Sequence, residues 1–457
     1  MGNMSHGEIR KCWRGIDRGD TAWVAYNFND CLDDELGRCL PMLTYGDGAP
    51  VNKVMNLSMK GTSVKSMTGT GAPLQTHKLL PALPTKICLG KTGRRGCLTT
   101  TPIHARINHR LAALASGCHP EYDESGVALT YDDLEVAGGY NFLHIRTAAD
   151  LEYLENELEL THHAELHPCC KCACSLRGDF TDFGRSAAWK PTVYTMDTWE
   201  PPAHHRFDYG GGRCIGPEFV SDDFNHCSDK GVGPQMTGSM FHEMVINKEF
   251  HPDGSRDKQI ETFNVMLGAY KSENRDMVTA PYVYMADFTN PKSPHAEFPC
   301  YNPGNMSRLR CIIPFVAELT EACNSGSDHD EHRRWCAWHC AEIYDVIFKG
   351  GCILKAREVK RLNISTEAFL LHYNWLAHEA ETNNIRWYKV TIKQHYLWRI
   401  AAEAHSGINP KLTMTMTGED LVGKIATITK GSLKATRMTD LDRVVLYKYF
   451  VGLALQV

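Results

Sequence analysis

With 457 residues, 43% of them hydrophobic and 23% charged, the chain is long enough for two or three domains with buried cores, and wholesale disorder is excluded. Forty-nine Lys and Arg against 54 Asp and Glu leave a formal charge of −5, which excludes a uniformly basic nucleic-acid coat. Any nucleic-acid contact is therefore local. No run of about 18 uncharged apolar residues exists; Val444 to Val457 is the nearest approach, and it is short and carries Lys448. The polar start from Met1 to Arg14 is no signal peptide, and His6 stands where acylation after Gly2 needs Ser or Thr. A chain with no secretion signal, lipid anchor or membrane partner is expected. Its 18 cysteines are mostly scattered singly, which fits a reducing compartment, with Cys88, Cys311 and Cys352 expected as small core residues.

In chain order, 41–60 reads as two strands, PMLTYGDG and VNKVMNLSMKG, with a turn containing Gly46, Gly48 and Pro50 and with Asp47 at its mouth. Ile103, Ile107, Leu111, Leu114 and Ala115 recur at helical spacing over 102–116, with Arg106 and Arg110 on a basic flank. The acidic stretch 121–165 holds an expected helix from about Ala148 to Leu160 and leads into the densest cysteine cluster. Helical patterns follow over 312–347, interrupted by CNSGSDHDE, and over 365–381. IRWYKVTI after Asn384 reads as a strand. In MTGEDLVGKIATITKGS, Thr417 and Asp420 form a capping pattern that places Glu419 in the first turn of a helix burying Leu421, Val422 and Ile425. From Ile353 to Val457 the chain carries 15 Lys and Arg against nine Asp and Glu, the natural place for phosphate contacts.

Two familiar motifs fail. A phosphate-binding loop would need Gly at Thr85 to accompany Gly90, Lys91 and Thr92, and a zinc-protease helix begun by His242 and Glu243 has Ile246 in place of its second histidine. In HPCCKCACSLRGDF, Cys169, Cys172 and Cys174 supply thiolates at a spacing short enough to ligate one ion, zinc by preference, with His167, Cys214 or Cys227 as the fourth ligand and Cys170 also at hand. A reduced, metal-free cluster is the plain alternative. Cys336, His339 and Cys340 share a helix face and read as core rather than ligands.

Asp47 after a strand, Asp223 in SDDFNH after the apolar EFV, and Glu419 opening a helix form the distributed constellation. Singly each is a turn or cap residue. Together, three such carboxylates suit two divalent ions, Mg²⁺ or Mn²⁺, held about 3.5–4 Å apart for phosphoryl transfer. YGDGAP, the Cys169/Cys172 pair, Asp223-Phe-Asn-His226 and GEDLVGKI, in this order over roughly 41–435, resemble the motif order of eukaryotic cut-and-paste transposases of the CACTA type and related mobile-element proteins. The resemblance implies a ribonuclease-H-like α/β core, a mixed sheet with flanking helices, interrupted by a Cys-rich and a helical insertion. Asp47, Asp223 and Glu419 would be its metal-binding triad, with His226 buttressing the site; Asp222 is an alternative second acid, but only Asp223 leaves a two-residue gap before His226.

The expected organisation is an N-terminal segment over 1–40, core over 41–120, an acidic and Cys-rich insertion over 121–213, core with the second acid over 214–250, a helical insertion over 251–384, and core with the third acid over 385–457. Lys424, one turn past Glu419, is the candidate phosphate contact. The implied activity is metal-dependent cleavage and transfer of DNA strands in the nucleus, by a homo-oligomer. About forty residues precede Asp47, fewer than the DNA-binding domain many such enzymes carry, so a fragment, a repurposed copy or a separate DNA-binding partner is expected. The resemblance leads one to expect a basic or bulky residue soon after His226, whereas this chain has Cys227 and Ser228 before Lys230. Two competing expectations are a non-catalytic, zinc-stabilised DNA-binding or interaction protein of the same fold and a two-metal nuclease without strand transfer.

Overall fold

In the computed structural model, which describes residues 5–52, 57–67, 77–84, 100–158, 160–194, 198, 219–274, 282–288, 297–301, 306–433, 436–437 and 440–454, five strands form one mixed sheet. These are β1 (Cys39–Asn52), β2 (Leu57–Ser66), β3 (His77–Pro84), β4 (Asn141–Ala149) and β5 (Val220–Ser221). Their order is β3-β2-β1-β4-β5, with β1–β2 and β2–β3 antiparallel and β1–β4 and β4–β5 parallel. The mixed α/β class expected from the sequence is therefore present. Cys88, Cys214 and the basic run from Lys91 to Arg95 lie outside the described residues, as does the failed phosphate-loop segment.

Thirteen helices are described. At the amino end are α1 (His6–Gly15), α2 (Thr21–Ala25) and α3 (Asp33–Leu36); then come α4 (Thr100–Ser116) and α5 (Leu151–Glu157). The helical block contains α6 (Gly233–Ile246), α7 (Arg256–Glu273), α8 (Met306–Ala322), α9 (Asp328–Lys349), α10 (Ala356–Thr382) and α11 (Ile392–Glu403). Last are α12 (Met416–Ser432) and α13 (Leu441–Ala454). None of the described helices is long and apolar enough to cross a membrane.

Alternation along the strands sends side chains to two faces, and each face is covered. Met42, Val64, Ala149 and Val220 pack with Ile107 and Leu111 of α4 and with Tyr153 and Leu154 of α5. Tyr45, Met59, Leu79 and Ala148 pack with Leu421, Val422 and Ile425 of α12 and Leu441, Val445 and Tyr449 of α13. Ile9 and Trp13 of α1 join Leu43, Leu143, Ile145 and Phe219. A separate, larger core unites α6 to α11 with the cysteine-rich loop.

Four local expectations are corrected. YGDGAP is not a turn: β1 runs through it, pairing Asp47 with Gly61 and Gly46 with Ala149. Its glycine serves packing, because a Cβ on Gly46 would stand 2.2 Å from Cζ of Tyr153. The helix expected from Ala148 begins only at Leu151, and 141–149 is a central strand inside the stretch read as an insertion. The polar His144, Arg146 and Thr147 of this strand are buried along with its apolar residues, so no continuous apolar run marks it as a two-sided buried strand. IRWYKVTI forms no strand, since Asn384 and Tyr388 take left-handed backbone (φ 56° and 53°) and Tyr388 turns inward to donate to Glu243 at 2.5 Å. Finally, α12 starts at Met416 with Thr415 as its cap residue, so Thr417 is already helical. Leu421, Val422 and Ile425 are nonetheless buried as expected, whereas Cys352 is exposed rather than core and Cys311 is half-buried.

Candidate functional site

Two clusters meet at β5. The first is the cysteine loop. Cys169, Cys172 and Cys174 are buried, and with His395 they bring one ligand atom each to within 4.8 Å of one another. The Nε2 of His395 lies 3.3 Å from Sγ of Cys172. Three soft thiols and an imidazole around one point can hold a metal ion such as zinc, whose tetrahedral sites take this ligand set. The fourth donor of this candidate set is thus neither His167, whose Nδ1 faces the carbonyl of Cys174 at 3.2 Å, nor Cys227, which lies in the apolar core. It comes from α11, 221 residues after Cys174, so no local spacing could reveal it.

Burial pushes the Cys169 thiol up, but the Cys172 and Cys174 thiols and the Arg399 guanidinium outweigh it and hold Cys169 well below the ordinary thiol range. At Cys169 this favours thiolate, the form that binds metal, whereas hydrogen bonding to Cys169 pushes Cys172 up to about 12 and Cys174 up as well. The ring of His395 packs edge-on to Trp189 at 4.4 Å, and Tyr396 beside it donates to the carbonyl of Pro168 at 2.9 Å, which docks the loop on α11. Cys336 and Cys340 are buried core residues of α9, as expected. Glu155, His162 and His163 also lie within 4.8 Å of one another, but Ala164 N–H donates to Nδ1 of His162, which leaves the proton on the Nε2 that faces Glu155. That nitrogen has no lone pair for an ion.

The second cluster gathers where β4 and β5 end beside the middle of β1. Asp47, within β1 and just past its last residue paired with β4, is buried; its carboxylate accepts from Tyr45 Oη at 2.8 Å and from Gly48 N–H at 2.6 Å. Asp223, two residues beyond β5, is also buried and opens a wide, π-helical turn over Asn225–Val232 that runs into α6. It accepts from the backbone of Asn225 at 3.0 Å and His226 at 3.2 Å, and Nδ1 of His226 lies 2.5 Å from Oδ2. Lys230 Nζ approaches His226 Nε2 at 3.2 Å from the other side, so the ring is gripped at both nitrogens.

Thr415, immediately ahead of α12, donates to Asp223 from N–H at 3.0 Å and from Oγ1 at 2.5 Å. This sets the first turn of α12, which contains Glu419, beside Asp223; the Glu419 side chain lies outside the described residues. Asp150, at the end of β4 beside the strand of Asp47, was not singled out from the sequence. Burial raises its pKa, the Tyr153 N–H and His226 oppose this, and Asp223 adds to it. No apolar run marks it, since FLHIRTAA ahead of it holds His144, Arg146 and Thr147. Lys424 is exposed on α12. Among the described residues, Asp47 and Asp223 are not part of any three-ligand set within 4.8 Å.

Compared with known proteins, the chain matches no family model and no curated protein.

Asp222 faces away from this site. Its carboxylate lies 3.4 Å from Lys171 Nζ and 3.6 Å from Arg399 Nε, and Glu403 joins the same pair of cations. Burial pushes Asp222 up to about 6, against the pull of Lys171. Glu403 is held below its usual range by Lys171 and Arg399 despite its own burial. Two cations and two anions thus share one buried network.

Proposed function

We propose that the chain is a ribonuclease-H-like protein of the transposase type, cleaving and transferring DNA strands by two-metal phosphoryl transfer. The clamp between Thr415 and Asp223 carries this assignment: residues 192 apart in sequence are joined so that the helix of Glu419 starts at the second acid. Further support comes from Asp47 on β1, one residue past its last pairing with β4, and from the point where the sheet order reverses between β1 and β4, the usual place for a ligand crevice in α/β sheets.

The donor set fits hard cations, since Asp47, Asp223 and Glu419 offer carboxylate oxygens. Mg²⁺ or Mn²⁺, when bound, would activate a water or 3′ hydroxyl and stabilise the leaving oxygen of the phosphodiester. Within the chain, Tyr45 and the Gly48 N–H orient Asp47, while Thr415 and His226 orient Asp223. With its Nδ1 against Asp223 and its Nε2 against Lys230, His226 buttresses the acid rather than serving as a base. Lys424 would meet the DNA backbone, and the setting for this chemistry is the nucleus.

A second reading, a non-catalytic zinc-stabilised DNA-binding or interaction protein of the same fold, is favoured by the saturation of Asp223, which already accepts bonds from Asn225, His226 and Thr415. Incubating supercoiled plasmid with the protein and Mn²⁺ separates the two. Nicking that disappears in Asp47→Ala, Asp223→Ala and Glu419→Ala is expected. No nicking by the zinc-loaded wild type leaves the second reading, and nicking without joining of a labelled 3′ end leaves a nuclease.

A further inference from the structure

Lys171 stands between two of the metal ligands, Cys169 and Cys172, yet its side chain turns away from them. It is 1% exposed, and its ammonium donates to Val220 O at 2.5 Å, to Glu403 at 2.5 Å and to Asp222 at 3.4 Å. Arg399 stands one helical turn after His395 on α11, the helix that supplies the fourth ligand. Its guanidinium lies 3.8 Å from Cys169 Sγ, 3.1 Å from Glu403 and 3.6 Å from Asp222. Each arm of the Cys₃His cluster therefore carries one buried cation, and both cations reach the residue next to Asp223. Lys171 also holds the carbonyl of β5 itself.

A buried ion network keeps its geometry only while every member is held, because a displaced partner leaves a bare charge at low dielectric. The loop bearing Lys171 has little regular structure of its own, and a metal shared with α11 would be what fixes it. We infer that metal loading of the Cys₃His cluster positions the Asp222–Asp223 segment, with Lys171 and Arg399 as the positioning residues that transmit it. The catalytic consequence rests on the assignment of Asp223 to the acid site.

Hydrogen exchange of the full-length protein, followed by mass spectrometry over 219–232, tests this without any reaction. Removing zinc with a chelator, to a measured content near zero, is expected to speed exchange there about tenfold or more, while 57–66 on β2 stays protected. Lys171→Met with zinc retained is expected to do the same, and Lys171→Arg, which keeps the cation, to remain slow. Should Lys171→Met fold poorly, the charge-balanced Lys171→Met/Asp222→Asn protein serves in its place. Zinc-loaded Lys171→Met is also expected to bind Mn²⁺, read by its electron paramagnetic resonance, about tenfold more weakly than wild type.

Unchanged exchange over 219–232 when zinc leaves overturns the inference, as does a rise spread evenly through β2. Loss of zinc from Lys171→Met overturns it too, by making Lys171 part of the metal site. Failure of the functional assignment looks different: exchange follows zinc as described, but the wild type neither binds Mn²⁺ nor nicks DNA.

Discussion

Replacing Thr415 by Val probes the clamp that joins α12 to Asp223. The residue is fully buried and its hydroxyl donates to Asp223 Oδ2 at 2.5 Å, the length of a charge-assisted bond. Valine has nearly the same shape, so little cavity forms and the cost is that of the lost donor. Hydrogen bonds to charged groups contribute about 1.5–3 kcal/mol. Asp223 keeps the N–H groups of Thr415, Asn225 and His226 and the ring of His226, which places the expected loss near the lower end, about 1.5 kcal/mol. Urea unfolding of wild type, Thr415→Val, Asp223→Asn and the double variant isolates the pair. A coupling of about 1 kcal/mol or more is expected, since the two side chains touch. A loss below about 0.5 kcal/mol for Thr415→Val, the scatter of ordinary surface changes, or strict additivity in the cycle, refutes the clamp.

Gly46→Ala is expected to cost about 1–3 kcal/mol by overpacking, because its Cβ would stand 2.2–2.6 Å from the Tyr153 ring, whose hydroxyl is tied to Thr62 at 2.7 Å. Tyr153→Leu in the same protein should recover part of that loss, and denaturation midpoints that do not respond to the second change would place the clash elsewhere. At His329, burial lowers the pKa but the Glu243 and Glu379 carboxylates outweigh it and raise it to about 9 from 6.5. The folded value lies above the unfolded one, so this stabilisation is complete below about pH 6.5 and fades as pH rises through about 9. At 1.36 kcal/mol per pH unit it amounts to at most about 3 kcal/mol, less screening at a ring that is 25% exposed. Stability measured from pH 6 to 9.5 should fall more steeply for wild type than for His329→Gln; equal slopes would remove the ion cluster from the account.

The sequence announced elements whose burial is one-sided and hid those whose burial is not. The helix of α4, the α8–α9 pair around CNSGSDHDE and the buried stripe of α12 follow a 3.6-residue rhythm and stand where it put them. β4 did not show, because it buries the polar His144, Arg146 and Thr147 along with its apolar residues, so neither a continuous apolar run nor a solvent-facing polar face marks it. Glycine and proline in YGDGAP argued for a turn by composition, whereas the tertiary contact with Tyr153 is what demands glycine there. For the metal cluster, the three cysteines lie within six residues and were legible. His395 was not, because a ligand contributed by a distant helix has no signature in its own neighbourhood. Asp150 was passed over for a related reason: its position beside Asp47 depends on the pairing of Gly46 with Ala149, which no linear pattern encodes.

Asp222 and Asp223 show how two identical side chains in sequence acquire opposite settings. Successive residues leaving a strand point to opposite sides, so one carboxylate enters the network of Lys171, Arg399 and Glu403 while the other meets His226 and Thr415. The first is compensated by charge: two buried cations answer two buried anions, an arrangement that adds little net stability over apolar packing but is costly to break singly. The second accepts from backbone N–H groups, a hydroxyl and an imidazole, and its charge acts on the ammonium groups of Lys65 and Lys393. A carboxylate held by oriented N–H and O–H groups in this way is fixed in place. Had Asp223 taken the ion network instead, Lys171 and Arg399 would flank it, so the spacing that favours Asp223 over Asp222 for His226 also separates the acid bonded to Thr415 from the acid held by the two cations.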